Sequence, residues 1–251
     1  MDIRGSKVLV TGAASGMGRV FALELARAGA SVAACDLNLA GAQETAGMAK
    51  GIVAIEADVS KEDQVQSAIK KAAEALGGLN VLVNNAGLFK DALLVKVDKD
   101  SGEIKRMSLA NWQKVIDVDL TGPFLCTREF AAHCIETKTQ PAVVVNISSI
   151  ARYGNPGQSN YSAAKAGLVA DTDLWAKELA RYGIRTGAIA PGFVDTPILQ
   201  GMKPEVLEGM LKPVPLRRVA KPEEIFLAVK FIVECDYFTG RCIDIDGGMR
   251  L

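Results

Sequence analysis

The chain has a single histidine, His133, and only five cysteines, Cys35, Cys126, Cys134, Cys235 and Cys242. The cysteines are odd in number and scattered without metal-ligand spacing, which argues against both a disulfide framework and a metal centre and for reduced thiols in a cytoplasmic protein. His133 has no acid or serine at helical spacing, so it reads as an interface or surface residue. Lys+Arg and Asp+Glu each number 29, and no long run of one sign occurs. This balance argues against nucleic acid or a charged membrane surface as the main partner and for a small-molecule site. No apolar stretch reaches the ~18 residues of a membrane span, no charged-then-apolar leader opens the chain, and no solenoid-length repeat or low-complexity linker is found.

What remains is alternation. With 251 residues, 49% of them hydrophobic, the chain has the material for one large core, and a single domain over 1–251 is expected. Short apolar runs at 8–10, 31–35, 52–55, 81–83, 143–147, 184–190 and 242–245 are seven candidate strands. Between them lie helix-length segments such as Met17–Arg27, Lys61–Leu76, Leu109–Ile135, Tyr161–Arg181 and Pro222–Glu234. Strands of this kind, each followed by a crossover helix, imply an α/β fold with a parallel sheet and helices on both faces. Two stretches break the rhythm. Residues 94–107 read as a β-hairpin insertion around Asp-Ser-Gly, and residues 191–215, carrying five prolines, read as a lid over a site.

The segment TGAASGMG at 11–18 places three glycines between a buried strand and a helix. Glycine permits a tight turn and close approach to the backbone, and the start of a helix favours an anion such as a phosphate. Asp36, directly after the second strand and 18 positions beyond Gly18, is an acid suited to gripping a ribose. Its carboxylate accepts from both ribose hydroxyls of NAD and repels the 2′-phosphate of NADP. Ser15 offers that phosphate no charge, and Arg19 is the nearby basic residue, so NAD is expected over NADP. Asp58, after the third strand, either caps the following helix or accepts from an adenine amino group.

A second constellation is Tyr161-Ser-Ala-Ala-Lys165. A helix places residues i and i+4 on one face, and an ammonium beside a tyrosine favours the phenolate that acid–base chemistry requires.

Taken in order, these pieces resemble one family, the short-chain dehydrogenases/reductases, over nearly the whole chain. TGAASGMG is similar to its TGxxxGxG turn, Asn84-Asn85-Ala86-Gly87 to its NNAG strand end, and Tyr161/Lys165 to its YxxxK. Pro191-Gly192 and Asp246-Gly247-Gly248 resemble its later marks. The resemblance implies a single-domain Rossmann-type, doubly wound sheet, a nicotinamide cofactor, hydride transfer between a carbonyl and an alcohol, and a homotetramer. It implies a cofactor site at Gly12, Ser15, Gly16, Met17, Gly18, Asp36, Asp58, Val59, Asn85, Ala86, Gly87, Tyr161, Lys165, Pro191, Gly192, Val194 and Thr196, with Thr196 at the nicotinamide amide. The family's serine commonly lies 13 positions before the tyrosine, at Ser148, whereas its strand end points to Ser149. Because the sheet fixes position and the following loop can absorb a deletion, Ser149 is the expected catalytic serine, with Ser148 the other candidate.

Asp119 stands where the family usually has asparagine. The expected role belongs to its main-chain carbonyl, which by resemblance holds a water against the lysine. Pro123, four residues on, has no N–H to give that carbonyl. A carboxylate near Lys165 also stabilises the ammonium and weakens its effect on Tyr161, so an alkaline-shifted pH profile is expected. Trp112 and Trp175 read as packing residues. Arg128 and Arg152 read as solvated arginines, with a phosphate-bearing substrate arm as the other reading.

The stretch 154–167 resembles the 3-oxoacyl-(carrier-protein or CoA) reductase branch in particular. Apolar lid residues Phe193, Ile198, Leu199, Met202, Leu207, Met210 and Leu211 favour an acyl substrate carried on CoA or acyl carrier protein. The same catalytic set would serve an NAD-dependent dehydrogenase of another apolar, aromatic, steroid or polyol alcohol. A non-catalytic NAD-binding subunit is the reading from another class.

Overall fold

The computed structural model describes residues 1–200 and 204–249; Met202 lies outside them, as do the side-chain positions of Ile198, Gln200 and Pro204. Strands β1 (Lys7–Thr11), β2 (Ser31–Asp36), β3 (Ile52–Glu56) and β4 (Val81–Asn84) precede a separate hairpin, β5 (Val95–Val97) and β6 (Ile104–Arg106). Strands β7 (Ala142–Ile147), β8 (Ile184–Pro191) and β9 (Arg241–Ile245) complete the main sheet. Its order is β3-β2-β1-β4-β7-β8-β9, all parallel. The order reverses at β1, whose neighbours are β2 and β4, and a crevice forms there beyond the strand ends.

The strands are apolar because both faces are covered. Val8, Leu9 and Val10, Val32 to Ala34, Val81 to Val83 and Ala142 to Val145 are all essentially inaccessible. One face packs Phe21, Leu25, Ile225, Val229 and Ile232 from helices α1 (Gly16–Arg27) and α9 (Pro222–Glu234). The other packs Val65, Ile69, Leu125 and Phe130 from α3 (Glu62–Leu76) and α5 (Gly122–Glu136). Each such side chain contributes about 1.5–3 kcal/mol by leaving water.

Several local readings change. A helix α2 (Leu39–Gly47), capped by Asn38 accepting from Gly41 N at 3.1 Å, follows β2. The stretch 109–135 is broken: α4 (Leu109–Ile116) passes into a wider π-helical segment, Asp117–Thr121, before α5 begins. Pro123 cannot donate to Asp119, and Gly122 N instead reaches back to Asp117 O, so the missing bond is absorbed by a bulge. Helix α6 (Ser159–Leu179) carries the Tyr161/Lys165 pair. Within the 191–215 stretch lie the short helices α7 (Pro197–Gln200) and α8 (Pro204–Leu211). Trp175 is buried in the core, whereas Trp112 is half-buried. Among the described residues no helix is long and apolar enough to cross a membrane.

Candidate active site

Two of the three turn glycines are required by contact. A Cβ on Gly18 would lie 2.1 Å from Gly12 O, and one on Gly12 would lie 2.7 Å from Ala86 Cα. The turn is thus pressed onto the end of β4. Gly16 differs: its φ is +54°, and the nearest atom to a Cβ there would be Thr196 Cγ2 at 3.8 Å. The space over the first turn of α1 is therefore roofed by Thr196 and Pro197. The N-cap, Ser15, makes no side-chain hydrogen bond to that turn. Thr11 Oγ1 accepts from Asn85 N and Ala86 N, both at 3.1 Å, and Asn85 Nδ2 donates to Thr11 O and Gly12 O. Thr11 is a residue the sequence reading passed over, although it opens the TGxxxGxG run.

Asp36 ends β2 beside this turn and accepts from Ala14 N and Asn38 N, both at 2.9 Å. Arg19 is turned away toward α2: Nε donates to Thr45 Oγ1 at 3.0 Å, and its guanidinium also bonds Ala14 O and pairs with Glu44. Asp58 does not cap α3, whose N-cap is Lys61. Its Oδ1 accepts from Ser60 N and Ser60 Oγ at 2.9 and 2.7 Å, closing the preceding turn. Partial burial opposes ionisation, but the Ser60 hydrogen bonds together with Lys114 and Lys61 outweigh it and hold the carboxyl below its ordinary value. Val59 is buried against Gly122. Met17 is half-buried at the edge of the core.

The second half of the site lies where β4, β7 and α6 meet. Ser148 and Ser149 follow β7 but face differently. Ser148 is buried, and its Oγ donates to Lys165 O at 2.9 Å. Ser149 accepts from Ala151 N at 3.1 Å, and its hydroxyl is among the groups that pull the proton affinity of Tyr161 down. Lys165 lies one helical turn from Tyr161, with Nζ 5.4 Å from the ring centroid and donating to Ile147 O at 3.0 Å. Phe89 meets the Tyr161 ring edge-on at 6.3 Å.

Asp119 contributes its side chain to this group. It is wholly buried; Oδ1 accepts from Leu88 N at 2.9 Å and Oδ2 lies 3.2 Å from Lys165 Nζ. Gly87 makes room, since a Cβ there would stand 2.8 Å from Asp119 Oδ2. Burial pushes the Asp119 carboxyl up, only partly countered by Lys165. Burial also disfavours the Lys165 ammonium, but the Asp119 carboxylate overrides it and holds the lysine above its ordinary value. Tyr161 is raised by burial first and by Asp119, with Lys165 and Ser149 pulling it back.

The 191–215 stretch leaves the end of β8 against β9. Gly192 N donates to Ile245 O at 2.9 Å, and a Cβ on Gly192 would lie 2.8 Å from Asp246 Cα. Val194 is buried and bridges Ala220. Phe193 and Leu211 pack on Ile150, Val214 and Met249.

Of the two arginines, Arg128 is solvated as expected, its side chain 41% exposed, whereas Arg152 is not. Arg128 pairs with Glu62 and Glu129 and lies 5.5 Å over Phe124. Arg152, only 11% exposed, pairs with Asp244 at 2.7 Å. His133 is half-buried on α5, its Nε2 enclosed. Among the described residues no group of three metal-ligating side chains occurs.

The family described as enoyl-(acyl carrier protein) reductase matches residues 12–250. The 3-oxoacyl-[acyl-carrier-protein] reductase FabG of Thermotoga maritima is 39% identical, with 99% of each chain covered. The 3-oxoacyl-[acyl-carrier-protein] reductase of Synechocystis is also 39% identical, over 96% of this chain and 95% of its own. A crystal structure of 3-ketoacyl-(acyl-carrier-protein) reductase from Brucella melitensis complexed with NADH has a TM-score of 0.88 at 30% identity, covering 100% of both chains. With its sheet order, glycine turn and Tyr161/Lys165 pair, the chain belongs to the short-chain dehydrogenase/reductase family.

Proposed function

We propose that this protein is an NAD(H)-dependent oxidoreductase that interconverts a 3-hydroxyacyl and a 3-oxoacyl thioester carried on CoA or acyl carrier protein. The observation that carries the reading is the convergence of Ser149, Tyr161 and Lys165 at the same sheet edge as the glycine turn and Asp36. The names of the relatives, and the NADH in the Brucella structure, support it.

The turn fits a dinucleotide. Positive φ at Gly16, the space left there under Thr196 and Pro197 and the uncapped start of α1 suit a pyrophosphate. Asp36 supports NAD over NADP: a carboxylate beside the turn accepts ribose hydroxyls and repels a 2′-phosphate. Leu37 and Ser15 add no cation, and Arg19 is spent on Ala14 O, Thr45 and Glu44. When bound, the nicotinamide supplies or accepts the hydride.

The protein's own groups handle the oxygen and its proton. Tyr161 takes the hydroxyl proton in oxidation and returns it in reduction. Ser149 holds the substrate oxygen toward Tyr161 and steadies its developing charge. Lys165 supplies the positive charge that favours the phenolate. Asn85, Ala86, Gly87, Pro191, Gly192, Val194 and Thr196 border the space between turn and lid, and the Phe193 and Leu211 cluster gives that side an apolar lining. A homotetramer in the cytoplasm is part of the same reading; exposed Leu227 and Phe231 on α9, with Tyr237 beyond it, support an interface there.

The test is initial rates of NADH and NADPH oxidation with acetoacetyl-CoA, a trans-2-enoyl-CoA and a panel of apolar ketones. NADH with acetoacetyl-CoA should be fastest. Turnover of free ketones alone would reassign the protein as an alcohol dehydrogenase. Reduction of the enoyl thioester alone would favour the activity in the family description. Silence with NADH bound would favour a non-catalytic subunit.

A further inference from the structure

Between Ser149 and Tyr161 the chain makes a 3-10 turn, Ile150–Tyr153. The turn is tied at its start by Arg152 N donating to Ser149 O at 3.1 Å. It is tied at its end by a guanidinium that reaches across the tip of β8 to β9. Arg152 Nη2 donates to Asp244 Oδ1 at 2.7 Å and to Tyr153 OH at 2.6 Å, while Nη1 donates to Cys242 Sγ. Burial, above all, pushes the Cys242 thiol up to about 11, so the acceptor is a neutral sulfur. The guanidinium also lies 4.6 Å over the Tyr153 ring. Nothing in the chemistry of hydride transfer uses this cluster.

We propose that Arg152 is a positioning residue that sets the orientation of the Ser149 hydroxyl; the inference rests on reading Ser149 as the group that holds the substrate oxygen. The link is short. Ser149 Oγ accepts from Ala151 N, the residue directly before Arg152, and that bond fixes the Ser149 rotamer, leaving the hydroxyl proton free for the Tyr161 side of the site. Where Ala151 N sits depends on the turn, and the turn is anchored on β9 by a planar fork with two side-chain partners there, Asp244 and Cys242, and a third, Tyr153, in the turn itself. Ser149 lies 12 positions before Tyr161, one fewer than the spacing common in the family. A shorter connection has less slack, and a clamp two strands away supplies the register that slack would otherwise absorb. Small misplacements of a group that steadies developing charge are costly in rate.

A double-mutant cycle with Arg152→Ala and Ser149→Ala, read as kcat with NADH and the thioester, tests the assignment. Arg152→Ala should lower kcat about tenfold with the NADH dissociation constant unchanged, and Arg152→Lys, which keeps charge but not the fork, should not restore it. In the Ser149→Ala background, Arg152→Ala should have no further effect. Equal losses in both backgrounds, or full rescue by lysine, would overturn the proposal. Hydrogen exchange of the Ala151 and Arg152 amides needs no substrate and should speed up in Arg152→Ala. Unchanged exchange would overturn the clamp even if the thioester is turned over as proposed. Faster exchange in a protein that turns over no thioester would leave the clamp standing and count against the substrate assignment alone.

Discussion

Asp119 Oδ2 lies 3.2 Å from Lys165 Nζ, and both side chains are buried. A positive charge with a carboxylate this close acts on a third group as a dipole, whose field falls off faster than that of a lone ammonium. The charged groups acting on Tyr161 are then Lys165, which lowers its proton affinity, and Asp119 and Asp91, which raise it. Oxidation requires the phenolate, so a raised tyrosine works at higher pH. Asp119→Asn keeps an acceptor for Leu88 N but removes the charge. The acid limb of the kcat profile in the alcohol-oxidising direction should move down by about one pH unit, tenfold in proton concentration. An unmoved limb would show that the carboxylate does not set the tyrosine.

The adjacent serines separate two functions. Ser149→Ala should cost roughly 10²–10³ in kcat, as loss of a donor to a developing oxyanion does. Ser148→Ala removes a buried bond to Lys165 O and should cost about 1 kcal/mol of stability in urea, with kcat near that of the parent. The opposite pattern would make Ser148 the functional residue.

The proposed preference for NADH rests on one carboxylate, Asp36. Asp36→Ala combined with Leu37→Arg should raise the NADPH:NADH ratio of kcat/KM by about 100-fold, or roughly 2.7 kcal/mol. A ratio that stays put would show that the discrimination lies elsewhere in the turn.

Gly18 has no room for a methyl group, because the atoms it would meet are Gly12 O and Asn85 Nδ2, at 2.1 and 2.4 Å. Gly18→Ala should destabilise the fold by about 3 kcal/mol and abolish NADH binding measured by fluorescence quenching. A near-native melting temperature with tight binding would contradict the close packing of the turn on β4.

The approach to α9 carries an acid-sensitive contact. Arg218 holds Glu224 bidentately at 2.6 and 2.7 Å and Lys221 N adds a third bond, so the carboxyl falls from an ordinary value near 4.5 to about 2. A depressed carboxylate adds stability above its unfolded value, and that stability is lost as pH falls through its folded one. Melting temperature should decline between about pH 4.5 and 2, and Glu224→Gln should flatten that part of the curve. The pair is exposed, so added salt should shrink the effect.

Much of this was legible before any coordinates. The seven strands are short apolar runs because a sheet covered on both faces admits little else, and the glycine turn, Asp36 and Tyr161/Lys165 are recognised by spacing because local backbone geometry sets what each can reach. What the chain order could not decide is which group each side chain meets. Ser148 and Ser149 are neighbours in sequence, yet one is spent on the backbone of α6 and the other is held by Ala151 N and acts on the proton affinity of Tyr161. Asp119 meets Lys165 through its carboxylate, because a π-helical bulge at Pro123 and a glycine at position 87 put it there. Arg152 becomes an anchor only because β9 arrives two strands from β7, from nearly a hundred residues further along the chain. The sequence by itself determined the elements and the chemistry available to them, since these follow from local periodicity and residue type. Only the tertiary structure decided which charges and hydroxyls are paired, since pairing depends on distances set by packing between elements remote in the chain.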